Sequence, residues 1–429
     1  MKRVHFTGSF ILMLAIFPLA TVTAPEARAQ DAGRLTLDQL ITEAMQNNPG
    51  VKSARERWLS ASHQIQQNYA PADPVFSYSN TDSPDFPLFK ASAHTIGVTQ
   101  SLQFPGKALY QADLSRRTAD IARLALEATE RDLRAQVQVG YYQLALDAAL
   151  AAATEEQANL LEKVVKVTEI GYQGNKNTQA DIIAAQLAYS TMVQQLEVFR
   201  LNVQNDRTQI NMLLYRRPDE PLTVDQTLDV RPLTAGLDDL IRRAAETRQE
   251  ILQAALTERN SDTASTLAKM EYLPDYSLSY SFDDYLLTSA APAPNRTEDH
   301  SLTLAFNVPI FFRWHQREDV VKSLHDLEAA RYDLGSIKNQ TSAIVTTLYR
   351  TALVDYRQAR LYHDSLIPIA RHGYEVAIVA YENGQLNFAQ LQNAYQQLYS
   401  LQVSHLQLQN QFLAQKVAIE QTVGSPLPQ

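Results

Sequence analysis

The chain has 429 residues, a formal charge of −9 and no cysteine. That excludes disulfides, thiolate metal sites and a lipid-bearing N-terminal cysteine, and the acidic balance argues against nucleic acid as a partner. With only 13 glycines beside abundant Ala, Leu and Gln, the composition favours long helices.

Residues 1–29 read as a secretory signal peptide: Lys2 and Arg3 precede an apolar stretch from Phe10 to Leu19, which ends near the small-residue site Ala27-Arg28-Ala29. Its apolar core is too short for a comfortable bilayer span, and no later stretch reaches the length of a membrane helix. The mature protein is therefore expected to be exported, unlipidated and, with Lys2, Arg3, Arg28 and Glu26 removed, still more acidic.

A first helix is expected over about 37–70, followed by strands at about 75–82 and 94–104. Between Pro105 and Pro218 there is no proline, and Leu126, Leu133, Val137 and Leu144 advance by helical steps along one seam, so a very long helix is expected over about 106–171. The polar turn Tyr172-Gln-Gly-Asn175 closes it, and a return helix follows over about 181–215. A Pro-rich linker, 217–236, separates this first unit (30–216) from a second (237–423), and a short tail covers 424–429.

The second unit repeats the first. At a spacing of 200, Leu37, Asp38, Leu40, Ile41, Ala44 and Pro74 are matched by Leu237, Asp238, Leu240, Ile241, Ala244 and Pro274. Helices are expected at about 237–271, 311–381 and 388–422, with strands at about 275–283 and 300–308. Leu327, Leu334, Ile337, Ile344 and Leu348 mark the seam of the long helix, which Pro368 should kink. Its tip is Tyr381-Glu-Asn-Gly384, where Gly384 takes the slot of Asn175, both tolerating the left-handed backbone that ends a helix. A period this long makes each copy a complete structural unit rather than one rung of a solenoid.

All four strands alternate. Leu302, Leu304, Phe306 and Val308 face one way and Ser301, Thr303, Ala305 and Asn307 the other; Ile96, Val98, Leu102 and Phe104 oppose Thr95, Gly97, Thr99 and Ser101. Phe76 and Tyr78, and Leu278, Tyr280 and Phe282, follow the same rule. In a soluble sheet the apolar face would pack on a core; in an outer-membrane barrel it would face lipid. A lipid-facing sheet must close, which four strands cannot do, so three copies giving twelve strands are expected. The outer loops would fall at about 82–93 and 284–299, and Phe311, Phe312 and Trp314 would sit at the inner membrane boundary.

This order of features, with the opening Leu35-Thr-Leu-Asp-Gln-Leu-Ile41, Ala44, Asn48-Pro49 and Val51, resembles the TolC-type outer-membrane efflux proteins. Leu102-Gln-Phe-Pro-Gly-Lys107 is similar to the CzcC-like heavy-metal branch. The resemblance implies a mainly α fold with a transmembrane β-barrel portion: a homotrimeric 12-strand barrel set in outer-membrane lipid and continuous with a periplasmic α-helical coiled-coil barrel. It implies a passive exit duct for metal cations or small toxic compounds, docked by its helical tips (Tyr172, Asn175, Tyr381, Gly384) onto a periplasmic adaptor and an inner-membrane pump of the RND type. It also implies a gate in which Asp181 pairs with Tyr381 across the coils. Gln390 and Asn393 stand where some members carry an acidic constriction, and Leu386 where they carry an arginine, so a neutral gate is expected. The plain alternative for Asp181 is a favourable charge at a helix N-terminus.

Catalysis is not expected. There is no phosphate loop or nucleophile elbow, Asp283-Asp284 falls in an expected outer loop, and none of the nine histidines pairs with another at metal-ligand spacing on a helix, so they read as solvated or packed. No cofactor or resident metal is expected. A type I secretion exit duct and a periplasmic coiled-coil scaffold or adaptor remain as other functions of the same pattern.

Overall fold

The computed structural model describes residues 35–81, 93–175, 177–224, 230–287 and 295–427. The expected signal peptide, the first outer loop short of Ala93 and the middle of the second lie outside them. The first unit contains α1 (Leu37–Asn47), α2 (Pro49–Tyr69), β1 (Val75–Thr81), β2 (Ala93–Leu102), α3 (Lys107–Gln173) and α4 (Gln179–Leu214). The second contains α5 (Leu237–Thr247), α6 (Gln249–Met270), β3 (Tyr276–Leu287), β4 (Asn295–Phe306), α7 (Gln316–Leu361), a π turn (Tyr362–Leu366), α8 (Ile367–Glu382) and α9 (Phe388–Val423). The order helix, helix, strand, strand, helix, helix thus occurs twice.

With 67 residues, α3 is about 100 Å long. Its seam residues Leu126, Leu133, Val137 and Leu144 are buried against Leu40 and Ala44 of α1 and Ile210 and Leu214 of α4. In the second unit Val345 and Ala352 meet Leu240, Phe412 and Ile419. The seam of α7 runs through Leu327 and Val345, while Ile344 is exposed. Five full turns of a 3.6-residue helix separate Leu327 from Val345, so the stripe follows the helical period and leaves the heptad.

The single helices expected at 37–70 and 237–271 are each two. Asn48 is extended (φ −61°, ψ 123°) because the following Pro49 crowds a helical conformation, and its Oδ1 accepts from the Gly50 N–H at 2.8 Å. Arg248 adopts the same conformation without a proline. There Thr247 Oγ1 donates to the Val423 carbonyl at 2.8 Å, so tertiary contacts make the break. The helix expected from 311 begins at Gln316. Near Pro368 the helix widens into the π turn, in which the Ile367 N–H reaches back to the Tyr362 carbonyl.

The sheet has the order β1-β2-β3-β4, antiparallel throughout, so β2 and β3 join the two units. Register aligns Phe76, Val98, Tyr280 and Leu302 in one row across all four strands, and Ser77, Gly97, Ser281 and Ser301 in the next. On the polar face Thr99 and Ser279 hydroxyls meet at 2.9 Å and those of Ser281 and Ser301 at 2.8 Å. The apolar face is bare: Phe76 is 78% and Leu302 72% exposed. β3 and β4 run further than expected, so Asp283 and Asp284 lie in a strand and not in the outer loop. Asp283 Oδ1 accepts from the Thr95 hydroxyl at 2.5 Å, and this cross-strand tie accompanies the added pairs.

Two polar joints tie the units below the sheet. Lys107, only 2% exposed, donates from Nζ to Asp275 at 3.0 Å, Glu271 at 3.2 Å and the Leu273 carbonyl at 3.4 Å. Arg131 of α3 grips Glu250 and Gln249 of α6 at 2.6 and 2.8 Å. Between α3 and α4, the nearly buried Asp147 takes the Gln143 amide at 2.8 Å and lies beside Asp206. Burial, then the neighbouring Asp147, push the Asp206 carboxyl up to about 7. A raised folded value means that the native state binds the proton more tightly than the unfolded chain. This contribution to stability is complete below the ordinary carboxylate value of 3.8 and is lost as pH climbs through about 7. Asp206→Asn should flatten that decline in unfolding temperature measured across the same window; an unaltered slope would assign it to other groups.

Candidate functional site

The free ends of the hairpins carry most of the expected site residues. After α3, Asn175 takes φ 56°; after α8, Gly384 takes φ 71°; both are left-handed terminators of the preceding helix. Each return helix then starts with a capping box. Thr178 caps α4 and Asp181 closes the box by accepting from the Thr178 N–H at 2.8 Å and its hydroxyl at 2.7 Å. Asn387 caps α9 in the same way with Gln390, whose Oε1 accepts from the Asn387 N–H at 3.2 Å. Asp181 and Gln390 therefore do identical local work, one charged and one neutral.

The tyrosines differ. Tyr172 is 47% exposed, whereas Tyr381 is 9% exposed and lies in a cluster with Ala185, Ala377, Phe388 and Leu391. The Tyr381 hydroxyl lies 3.0 Å from Thr168 Oγ1 and accepts from Asn177 Nδ2 at 3.3 Å. Asn177 Nδ2 also reaches the Thr168 carbonyl at 3.3 Å, and Thr168 is fully buried. Within the chain the Tyr381 hydroxyl thus joins a Tyr381–Thr168–Asn177 knot, while Asp181 engages Thr178 at its own helix cap. Gly171 makes room for the knot: a Cβ there would stand 2.3 Å from Asn177 Nδ2.

Sequence reasoning missed Thr168 and Asn177. The available signal was a polar threonine on the packed side of a long helix and an asparagine just past a left-handed residue. Gln390 and Asn393 lie on α9, with Asn393 exposed. At the opposite end, Phe311, Phe312 and Trp314 fall in the turn between β4 and α7 and are all exposed, with Phe311 and Trp314 rings 6.1 Å apart and Phe312 6.3 Å from Tyr272. No helix among the described residues is long and apolar enough to cross a membrane.

A two-unit chain with a bare-faced antiparallel sheet at one end and paired helical hairpins at the other defines an architecture with known counterparts. It superposes on the outer membrane protein VceC from Vibrio cholerae with a TM-score of 0.75 at 16% identity, covering 91% of this chain and 97% of that one. The outer-membrane channel OprN gives 0.72 at 17%, covering 91% and 90%, and the transmembrane-channel protein CusC 0.70 at 13%, covering 91% and 92%. The sequence matches no curated protein. The family model for outer membrane efflux proteins matches residues 40–214 and 240–425, one stretch in each unit. The chain belongs to this outer membrane efflux protein family, whose members of TolC type are channels rather than enzymes.

Proposed function

We propose that the chain is one third of a passive outer-membrane exit duct, carrying metal cations or small toxic compounds delivered by an RND-type inner-membrane pump through a periplasmic adaptor. The observation that carries this reading is the sheet. An apolar face with Leu302, Leu304 and Phe306 more than half exposed has no core partner among the described residues, and β1 and β4 are left as edges of their sheet. Open edges are untenable in hydrocarbon, and three copies pairing β4 of one to β1 of the next close a twelve-stranded barrel with lipid outside and the serine and threonine face inside. The paired hairpins continue it as a tunnel whose tips, at Tyr172, Asn175, Tyr381 and Gly384, meet the adaptor. The Tyr381 knot holds those tips, and Gln390 and Asn393 line a neutral constriction.

The chain has two tryptophans, of which Trp58 packs partly on the core and Trp314 is 72% exposed. In Trp58→Phe protein reconstituted into vesicles, brominated lipid should quench most of the remaining fluorescence, placing Trp314 at the boundary of the bilayer. Unquenched emission, together with release of the protein by a periplasmic wash, would favour a periplasmic scaffold and overturn the duct.

A further inference from the structure

The π turn brings together two histidines that lie far apart in sequence. His363 stands within the turn and His405 on α9, with ring centroids 5.7 Å apart and planes inclined by 37°. A cleft of 260 Å³ lies beside them, lined also by Tyr356, Arg360, Asp364 and Gln409.

Each ring has one nitrogen engaged and one left over. His363 Nδ1 lies 2.9 Å from Asp364 Oδ1, a contact that directs its proton to the carboxylate and leaves Nε2 as a lone-pair donor. The His405 ring bonds the Ala359 carbonyl, while its buried Nδ1 has no partner among the described residues. A carboxylate on one imidazole and a backbone carbonyl on the other are the outer contacts that orient metal-binding histidines. With a metal–nitrogen distance of about 2.0–2.1 Å, each ring centroid lies about 3.2 Å from the ion, so two centroids about 5–6 Å apart can share one metal.

We propose that this cleft binds one divalent transition-metal ion of the zinc, nickel or copper class through His363 and His405, with water completing the coordination. Imidazole selects this class over magnesium or calcium, and Arg360, paired to Asp364 at 3.0 Å, keeps the carboxylate occupied as a support. No group of three or more His, Cys, Asp or Glu converges on one point among the described residues, so the two imidazoles are the whole protein ligand set here. The site is independent of what the duct carries.

The test is zinc titration into purified, untagged full-length protein in detergent, with the copper(II) electron paramagnetic resonance spectrum as a second readout. One tight equivalent per chain is expected, weakened at least tenfold in His363→Gln and in His405→Gln, about tenfold in Asp364→Asn, and unchanged in His372→Gln. The copper spectrum should show two imidazole nitrogens in the native protein and one in His363→Gln. Because His363 is 73% exposed, its variant should fold, as checked by an unaltered melting curve. A native protein with no tight equivalent, or a tight equivalent that survives both histidine substitutions, would overturn the proposal.

Discussion

Asp275→Ala should destabilise the protein by about 3 kcal/mol, because it strands most of a buried ammonium: Lys107 is 2% exposed and would keep only Glu271, at 3.2 Å, as an ionic partner. The same change removes the acceptor of the Phe104 N–H, which donates to Asp275 Oδ1 at 2.8 Å, and adds about 1 kcal/mol. Lys107→Met should cost less, about 1 kcal/mol, since the two carboxylates it abandons are 37% and 44% exposed and can take up water. Combining Lys107→Met with Asp275→Ala should recover part of the loss. The measurement is the unfolding temperature of the detergent-solubilised protein, because the joint lies within one chain, between the foot of the sheet and the start of α3. If the lysine substitution proves the more damaging, the bonds of the ammonium outweigh the penalty of stranding it, and the stranded-charge account fails.

Tyr381→Phe should raise single-channel conductance in planar bilayers. It deletes the hydroxyl that meets Thr168 and Asn177, about 1 kcal/mol for each bond lost, while Thr168 keeps its bond to the Val164 carbonyl at 2.8 Å and is not orphaned. Asp181→Asn should leave conductance near that of the native protein, because Asp181 serves the cap of α4. Equal effects from the two substitutions would restore Asp181 to the gate, and no effect from Tyr381→Phe would remove the tyrosine from it.

Much of this architecture was legible in the residues. Alternation in 301–306 and 94–102, with Gln100 the one exception, marked which side chains share a face, because a strand has a period of two; the expected strands ran on to 308 and 104, whereas β4 ends at Phe306 and β2 at Leu102. The proline-free run after Pro105 announced α3 for an equally direct reason. What escaped was tertiary. The break at Arg248 has no proline to announce it and depends on the end of α9; the added length of β3 comes with a cross-strand bond to Thr95. At the tips, the intrachain partners of Tyr381 and Asp181, Thr168 with Asn177 for the one and Thr178 for the other, left no trace in the spacing. A capping box competes locally for the aspartate, and that contest depends on geometry that spacing does not report. His363 and His405 were passed over for the same reason: proximity between helices leaves no periodic trace.

The knot at the hairpin tips has no twin. Where the first unit offers Thr168 and Asn177 to receive Tyr381, the equivalent positions of the second unit are Ala377 and Leu386, which have no side-chain polar group to offer Tyr172. The latch joins the two hairpins of one chain; in the proposed trimer, a ring of six hairpins, a joint between chains that set Tyr172 against Ala377 and Leu386 would lack that hydroxyl and amide. Such a ring does not dilate evenly. On the proposed reading it would part at the three joints between chains while each latched pair moved as one blade, giving a three-cornered passage whose corners would offer a docking adaptor the most leverage.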